Sequence, residues 1–428
     1  MFVPEIKIDE KLVSDTQQIL AKYSSKIPEH YFGIDRVIFL DSILKELSID
    51  ETKVLINYVN FLLKIMLSRE ASDLEIGGFG ADGFIWLRIY GNKSIVSELP
   101  RLTYDETAIL ILNIITEKQR ALLLKNRNLD FSYSFDYSKG ISQGITFGEE
   151  RIRFRADAYF DVDTLALNFR SILPQLRKLE NLGFHPNLIR MLSFNYVKQG
   201  LVLITGVVGT GKSTTLDSII DWHNENVNAH IVTIASPLEF VHKSKKCIIR
   251  QREVGKDVLS FRDGVVQALR QDLDIMVIGE MRDADTIIAA LEVTDTGHKV
   301  FSTLHTSSTV ESIDRIIAEV PESEQTRVRH RLADVLTAVI SQKLVPDLRG
   351  QLTMAKEVLI VTPSVRAAIK NNNSDEIYMM INQAADLGMI TMEHDLKILY
   401  QTKKISYDTA LKFANNKTLF KQITGHSL

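Results

Sequence analysis

The stretch LVLITGVVGTGKSTTLDSII, residues 201–220, decides the fold of this chain. It opens with four apolar residues and Thr205, a pattern typical of a short buried strand, and a helical pattern follows from Thr214. Between them, GVVGTGKS has the spacing G-x-x-x-x-G-K-[ST] of a phosphate-binding loop. The order strand, loop, helix distinguishes this motif from a chance glycine-rich turn. The loop and the first helical turn contain Gly206, Gly209, Thr210, Gly211, Lys212, Ser213 and Thr214.

These loop residues have the chemistry that a nucleoside triphosphate requires. Glycines permit a tight curl in which successive backbone N–H groups point at phosphate oxygens. The N-terminus of the following helix adds unpaired donors and a partial positive charge. Lys212 is expected to reach the β- and γ-phosphates, and the Ser213 hydroxyl is expected to ligate Mg²⁺. The sequence therefore predicts ATP and Mg²⁺ as cofactors.

Length and composition exclude several classes of protein. The 428 residues are 45% hydrophobic and 25% charged, which is ordinary for a globular protein with two or three domains. The net charge of -3 predicts no general affinity for nucleic acid. The single cysteine, Cys247, excludes an internal disulfide framework and suits a reducing cytosol. Neither a signal peptide nor an apolar run of roughly 20 residues is found, so we expect a cytoplasmic protein that meets membranes through partners.

Strands and helices alternate from Gly200 onward, which predicts a parallel sheet covered on both faces. The preceding region has one helix, short strands and glycine-rich turns, the pattern of a smaller α+β domain. The expected organisation is an N-terminal extension (1–53), an α+β domain (54–172), a linker (173–183), an α/β domain with the phosphate loop (184–360) and a helical C-terminal region (361–428).

Three polar residues follow strands at the edge where such sheets bind ligands. Glu280 ends an apolar strand, and an acid there can hold Mg²⁺ or its water shell. His305 follows the next strand, where an imidazole can hydrogen-bond a γ-phosphate. Glu239 follows an earlier strand. For His298, seven residues before His305, a nucleotide contact and an ordinary core or surface position are equally compatible with the sequence. A zinc pair is disfavoured, since no further ligands have suitable spacing.

Arginines alternate with apolar residues in RIRFRADAY, residues 151–159, which predicts one strand with one cationic face. Guanidinium groups of this kind disperse charge in phosphoryl transfer. They can therefore reach phosphates from another domain or subunit, although a solvated strand face would have the same pattern. The candidates are Arg151, Arg153, Arg155 and Arg170.

Together these motifs resemble those of the PilT-type ATPases of the type II/type IV secretion and pilus motor superfamily. The resemblance covers residues 54–415, and the motifs of the second half are highly specific in combination. They are GVVGTGKSTTL (206–216), QREVG (251–255), GEMRDADTI (279–287), TGHKVFSTLHT (296–306), SIDRII (312–317) and LGMITM (387–392). ASDLEI (71–76), LDFSYSF (129–135) and RIRFRADAY (151–159) resemble the family's N-terminal domain.

The resemblance implies a homo-hexameric ring with nucleotide held between a PAS-like N-terminal domain and a RecA-like ATPase core. It also implies a cytoplasmic motor, associated peripherally with the inner membrane through a pilus platform protein, and a paralogous pilus ATPase as a further partner. Carried over to this chain, Lys212 and Ser213 are the Walker A pair, Glu280 is the Walker B acid, His298 and His305 form the histidine box, and Arg153, Arg155 and Arg170 approach the phosphates.

One departure from the family bears on catalysis. The family's acidic box reads E-D-P-I-E, whereas this chain has Ala235-Ser236-Pro237-Leu238-Glu239. The first missing acid is the family's water-activating glutamate, and loss of such a group reduces turnover by about 10²–10⁴-fold. Glu239 and Glu280 remain as possible replacements.

Two functions therefore stay open, with a third disfavoured. The first is an ATP-hydrolysing motor of a type IV pilus or a related secretion machine, with retraction favoured over assembly because no tetra-cysteine zinc segment is present. The second is an ATP-binding, weakly hydrolysing accessory subunit or regulator of a paralogous motor. A nucleic-acid translocase is disfavoured by the net charge of -3 and by the absence of interleaved aromatic and basic residues.

Overall fold

The structure, a computed structural model, describes residues 6–89, 92–136, 151–172 and 176–425. The chain divides into two compact units, Met1–Pro174 and Gln175–Leu428. Each unit has a hydrophobic core of its own. Among the described residues, no helix combines the length and the apolar character needed to cross a bilayer.

The N-terminal unit is a six-stranded antiparallel sheet with helices packed on it. Its helices are α1 (Glu10–Ser24), α2 (Gly33–Ile43), α3 (Ile49–Ser68), α4 (Tyr104–Asn113) and α5 (Glu117–Asn126), and its strands are β1 (Ala71–Gly77), β2 (Trp86–Ile89), β3 (Asn92–Ile95), β4 (Asn128–Asp136), β5 (Arg151–Asp161) and β6 (Thr164–Ile172). The strand order is β3-β2-β1-β6-β5-β4, with every neighbouring pair antiparallel. Alternation along β5 places Phe154 and Ala156 in the core and Arg153 and Arg155 on the other face.

The first two helices belong to the core of this unit. Leu20 of α1 and Leu40 of α2 are buried in the same cluster as the apolar face of α3. α3 begins at Ile49, where Ser48 caps the helix within a capping box and satisfies a free amide of the first turn. The sequence led us to expect residues 1–53 as a separate extension, but the structure packs its helices into the N-terminal unit.

The second unit is built on a seven-stranded sheet with helices on both faces. Its strands are β7 (Gly200–Thr205), β8 (His230–Ala235), β9 (Ile248–Glu253), β10 (Ile275–Ile278), β11 (Lys299–Leu304), β12 (Leu336–Pro346) and β13 (Leu352–Ile360). Its helices are α6 (Pro186–Leu192), α7 (Lys212–Asn226), α8 (Phe261–Ala268), α9 (Ala284–Asp295), α10 (Thr309–Ala318), α11 (Glu322–Val335), α12 (Pro363–Lys370), α13 (Ser374–Gln383), α14 (Met392–Gln401), α15 (Tyr407–Phe413) and α16 (Lys417–Thr424).

The predicted parallel sheet and helical C-terminal region are confirmed. The strand order is β13-β12-β7-β11-β10-β8-β9, and all pairs are parallel except β12 with β13. Because Gly200 pairs with Lys299 and Thr205 with Leu304, β7 and β11 end together. We call the side where the parallel strands end the carboxyl edge, and the side where they begin the amino edge.

Two features of this unit differ from the sequence-based expectation. β12 and β13 were not predicted, and they extend the sheet beyond β7. The expected linker, residues 173–183, is also shorter than predicted, because Leu179 and Leu182 are buried in the core of the second unit. Apolar side chains at these positions contribute to packing rather than to a free connection. Residues 173–175 lie outside the described residues.

Candidate active site

The phosphate loop leaves β7 at the carboxyl edge and leads into α7. Gly206, Gly209 and Gly211 have φ angles of 152°, 81° and 83°, which residues with a side chain rarely adopt. A Cβ at Gly206 would collide with the Thr210 side chain and the Gln342 carbonyl, whereas one at Gly209 would meet nothing within 4 Å. The loop therefore packs tightly against β12 on one side and lines open space on the other.

The N-terminus of α7 is free to bind an anion. Gly211 occupies the N-cap position, and among the described residues no side chain caps this helix. The first amides of a helix have no intrahelical acceptor, and the helix dipole places partial positive charge there. The Ser213 hydroxyl lies in the first turn, beside these amides. This arrangement suits phosphate oxygens, and a hydroxyl with nearby carboxylates is a donor set that suits Mg²⁺.

Lys212 is the buried cation of this site. Its Nζ donates to the carbonyls of Gly206 at 2.7 Å and Val207 at 3.0 Å. Burial lowers the pKa of the Lys212 ammonium, while the nearby carboxylates of Glu280 and Glu239 act in the opposite direction. The ammonium is thus held by neutral acceptors within its own loop and placed to meet an incoming phosphate.

His305 and Glu280 complete the cluster at the ends of β11 and β10. The Lys212 Nζ lies 3.4 Å from His305 Nδ1, and His305 Nε2 lies 3.6 Å from a Glu280 carboxylate oxygen. Burial, followed by the charge of Lys212, lowers the pKa of His305, which favours the neutral imidazole. Because Lys212 can only donate, we assign the proton to Nε2. His305 therefore presents its N–H donor on the side of the Glu280 carboxylate, at the carboxyl edge beside Lys212.

Two arginines beside this cluster were not among the predicted site residues. Arg282 Nε lies 2.7 Å from a Glu280 carboxylate oxygen and is exposed. Arg315 donates to the His305 carbonyl at 3.0 Å. Arg282 is part of the GEMRD motif and could have been proposed from it, whereas Arg315 becomes a neighbour only because α10 folds back on the loop after β11.

Gln342 was also missed, although it holds the phosphate loop from β12. Its side-chain amide donates to the Thr210 carbonyl at 2.7 Å and accepts from the Thr215 hydroxyl at 2.9 Å. The side chain is buried, so these bonds are shielded from water. The available sequence signal was a polar pair, Ser341 and Gln342, directly after the apolar run of residues 338–340.

The altered acidic box lies next to Glu280. Ala235 ends β8, and a Cβ at Gly279 would lie 3.2 Å from its Cα, so the two chain segments touch. Ala235 pairs in register with Glu253, a buried acid that lies 2.8 Å from Lys256 and accepts from the Leu238 amide at 3.4 Å. Ser236 and Glu239 are exposed. The carboxyl end of β8 thus lacks a carboxylate of its own, and Glu239, Glu253 and Glu280 surround it.

His298 is not brought to this cluster within the chain. It precedes β11, whereas His305 follows it, so the two histidines lie at opposite edges of the sheet. Six strand residues at about 3.3 Å each separate them by roughly 20 Å. His298 Nδ1 lies 2.9 Å from the Thr296 hydroxyl and 3.2 Å from the Val293 carbonyl. His298 and His305, which the resemblance places in the histidine box, therefore lie at opposite edges of the sheet within one chain.

The predicted arginines lie together in the N-terminal unit. Arg155 and Arg170 are opposite each other in the β5–β6 pair, on the same face of the sheet. Arg155 forms an ion pair with Asp130, and Arg170 donates to Asp73 at 2.8 Å. Arg153 is half-buried on the same face. Their approach to phosphates stays a prediction, and the side chain of Arg151 lies outside the described residues.

Comparisons with known proteins agree with this architecture. The family model described as type II/IV secretion system protein matches residues 166–377. The chain is 37% identical over 349 residues to the type IV pilus retraction ATPase PilT of Pseudomonas aeruginosa, covering 82% of this chain and 96% of that protein. It is 31% identical to the type IV pilus ATPase PilU of the same organism, covering 83% and 88% of the two chains.

Solved structures show the same fold. The crystal structure of the pilus retraction motor PilT with bound ADP superposes with a TM-score of 0.72 at 33% identity, covering 84% of this chain and 98% of that one. The ATPase DotB of Legionella pneumophila superposes with a TM-score of 0.65 at 28% identity, covering 82% and 94%. With a phosphate loop, an acid and a histidine gathered at one sheet edge, the chain belongs to the type II/IV secretion ATPase family, among its PilT-type members.

Proposed function

We propose that this chain is the ATP-hydrolysing subunit of a hexameric motor that drives retraction of a type IV pilus or a related secretion machine. The observation that carries the proposal is the cluster of Lys212, Glu280 and His305 beside the uncapped N-terminus of α7. The match to almost the whole length of the Pseudomonas retraction ATPase supports it.

Each residue of the cluster has a distinct part in this proposal. The loop amides and Lys212 bind the phosphates, and Ser213 and Glu280 hold Mg²⁺. When bound, the metal supplies charge neutralisation on the phosphate oxygens. The neutral His305 donates a hydrogen bond from its Nε2–H group to the γ-phosphate, where negative charge develops during phosphoryl transfer. Thr210 and Thr214 lie in the same loop and helical turn and complete the binding surface.

Water activation is the step that the altered acidic box affects. With Ala235 at the end of β8, the available bases are Glu280 and the exposed Glu239. A base that is less well placed lowers turnover without weakening nucleotide binding, because the phosphate loop is intact. We therefore expect slow but measurable hydrolysis.

The proposed motor has further parts beyond this cluster. We propose that Arg153, Arg155 and Arg170 approach the phosphates from the N-terminal unit or from a neighbouring subunit, and that His298 acts at such a boundary. An inner-membrane platform protein is the proposed partner, with a paralogous pilus ATPase as a second one. The protein would then work in the cytoplasm, at the membrane surface but not in it.

A second function follows from one specific feature. Ala235 and Ser236 replace both leading acids of the box. An ATPase fold with strong binding and negligible turnover would serve as an accessory subunit that modulates an active paralogue. The two proposals differ in turnover and not in affinity.

Steady-state ATP hydrolysis by size-selected oligomers distinguishes them. The wild type, Lys212→Ala, Ala235→Glu and the uncharged isostere Ala235→Gln are compared. The motor proposal predicts a wild-type rate well above that of Lys212→Ala. It also predicts that the rate rises by about tenfold or more in Ala235→Glu but not in Ala235→Gln. A wild-type rate no higher than that of Lys212→Ala would refute the motor. An equal effect of Glu and Gln would show that a missing carboxylate does not limit the rate.

A further inference from the structure

A fully buried carboxylate on β13 joins the C-terminal helices to the segment that carries His305. Glu357 accepts hydrogen bonds from the Thr309 amide at 2.7 Å, the Thr309 hydroxyl at 2.8 Å and the Met392 amide at 3.4 Å. A carboxylate without water requires such donors, since burying it unpaired is costly. Its two partners are the first residues of α10 and of α14. Glu357 thus ties the starts of two helices to one strand.

Thr309 lies four residues after His305, and we call residues 305–309 the histidine segment. Ser307 in this segment donates its amide to Glu311 at 2.8 Å, and Thr306 lies 2.6 Å from the Ser312 hydroxyl. The Ser312 hydroxyl also donates to the Thr205 hydroxyl at the end of β7, at 3.2 Å, so this contact ties the middle of the segment to the sheet. Glu357 fixes the end of the segment to β13, so it restricts where His305 can lie.

A second connection reaches the same segment from the C-terminal helices. Lys343 on β12 donates to the Phe413 carbonyl at 2.7 Å and to the Asn415 side chain at 2.6 Å, and Asn415 in turn donates to the Ser307 carbonyl at 3.5 Å. The preceding residue on β12, Gln342, holds the phosphate loop. The loop between α15 and α16 therefore contacts the histidine segment and the strand that supports the nucleotide.

Charged side chains of β12, β13 and α14 lie close enough to influence one another. Glu393 of α14 is fully buried, and it accepts from the Tyr378 hydroxyl and from the Asn416 amide at 2.7 Å. Burial, with Glu393 nearby, raises the pKa of Glu357. The half-buried ammonium of Lys343 lies near both carboxylates. The C-terminal helices thus provide part of the environment that sets the charge and the orientation of Glu357.

We propose that Glu357 is a positioning residue for ATP hydrolysis, through which the C-terminal helices α14–α16 act on His305. The inference rests on the proposed function, in which His305 faces the γ-phosphate. When these helices hold Glu357 against Thr309, the histidine segment is fixed and His305 lies between Lys212 and Glu280. When the contact is lost, His305 moves away while the phosphate loop, held by Gln342, still binds nucleotide.

The test compares matched changes on β13, α10 and α14. Glu357→Gln removes the charge, and Thr309→Val removes one donor while Thr309→Ser keeps it. Asp395→Asn is the control, because Asp395 is also a buried acid that joins α14 to β13, and among the described residues its hydrogen bonds go to Lys356. kcat and KM for ATP are measured with the thermal midpoint of each variant.

The proposal predicts a loss of kcat of about tenfold in Glu357→Gln and several-fold in Thr309→Val, with KM for ATP within about twofold. Thr309→Ser and Asp395→Asn should keep kcat within about twofold even where the thermal midpoint falls. If kcat follows the thermal midpoint across all four variants, or if Glu357→Gln and Thr309→Val keep wild-type kcat, the proposal is wrong. If Glu357→Gln does not fold, the Thr309 pair decides alone. A wild type without hydrolysis would refute the proposed function instead.

Discussion

The two edges of the seven-stranded sheet contain the same kinds of side chain in different surroundings. The carboxyl edge has Lys212, Glu280 and His305, close together and beside the free N-terminus of α7. The amino edge also has a lysine, an acid and a histidine, namely Lys299, Asp274 and His298. Their hydrogen bonds go to backbone groups and a threonine of the surrounding fold. Lys299 donates to the carbonyls of Met191 and Val197, at 2.8 and 2.9 Å, near the end of α6.

The difference lies in the backbone around each lysine. At the carboxyl edge, glycines and helix amides offer donors to an anion. Backbone carbonyls accept from the ammonium at both edges, so the loop and helix amides beside Lys212 are what distinguish the carboxyl edge. Lysine, acid and histidine therefore make a nucleotide site only where the strand direction places them beside such a loop. Variants made in pairs, one at each edge, can break or sharpen this comparison.

Replacing the acids at the two ends of β10 should give the largest difference in kcat. Glu280 follows the strand, whereas Asp274 precedes it and accepts from the His230 amide at 2.8 Å. We expect Glu280→Gln to lower kcat by about 10²–10³-fold, because the carboxylate that holds Mg²⁺ is lost. Asp274→Asn should change kcat by less than about threefold. Steady-state hydrolysis measures both, and equal losses would contradict the assignment of the site to one edge.

Replacing the histidines at the two ends of β11 should give a smaller difference in kcat. His305→Ala removes the donor next to Lys212, and we expect kcat to fall by about 10–10²-fold. His298→Ala removes contacts to Thr296 and Val293 and should lower kcat by less than His305→Ala does, because His298 can reach a nucleotide only across a subunit boundary. The same assay on oligomers of equal size checks the pair. A larger loss of kcat in His298→Ala than in His305→Ala would contradict the placement of the nucleotide at the carboxyl edge.

The lysine at the amino edge should affect stability and not turnover. Burial lowers the pKa of Lys299 to about 7, from 10.5 in the unfolded chain. Between these values the unfolded chain binds more protons than the folded protein, so the free energy of unfolding rises with pH across this window. Denaturant unfolding should show a gain of about 2 kcal/mol from pH 7 to pH 9 in the wild type relative to Lys299→Met. Parallel pH profiles of the free energy of unfolding in the wild type and Lys299→Met would contradict the assigned burial of Lys299. The kcat of Lys299→Met should stay within about twofold of the wild-type value.

Much of the fold and part of the site could be predicted from the sequence. The glycine spacing of the phosphate loop and the alternation of strands and helices are local patterns, and both led to the parallel sheet and to Lys212, Glu280 and His305 at its carboxyl edge. The separation of His298 from His305 also follows from strand geometry, since a residue before a strand and one after it cannot share an edge.

The remaining features depend on packing that local patterns do not encode. Gln342 and Glu357 lie on β12 and β13, where polar residues among apolar ones gave no hint of their partners 35 to 132 residues away. The burial of Lys299 depends on the carbonyls at the end of α6, which no motif marks. The first two helices were expected as an appendage because their apolar faces are short, and only the core shows where they pack.

The most direct measurement is the thermal shift that ADP with Mg²⁺ produces in the wild type, Lys212→Ala and Lys299→Met. If the carboxyl edge is the nucleotide site, ligand at about 100-fold above its Kd stabilises the wild type and Lys299→Met by roughly 3 kcal/mol, while Lys212→Ala shows little or no shift. An equal shift in Lys212→Ala, or a loss of the shift in Lys299→Met alone, would contradict that assignment.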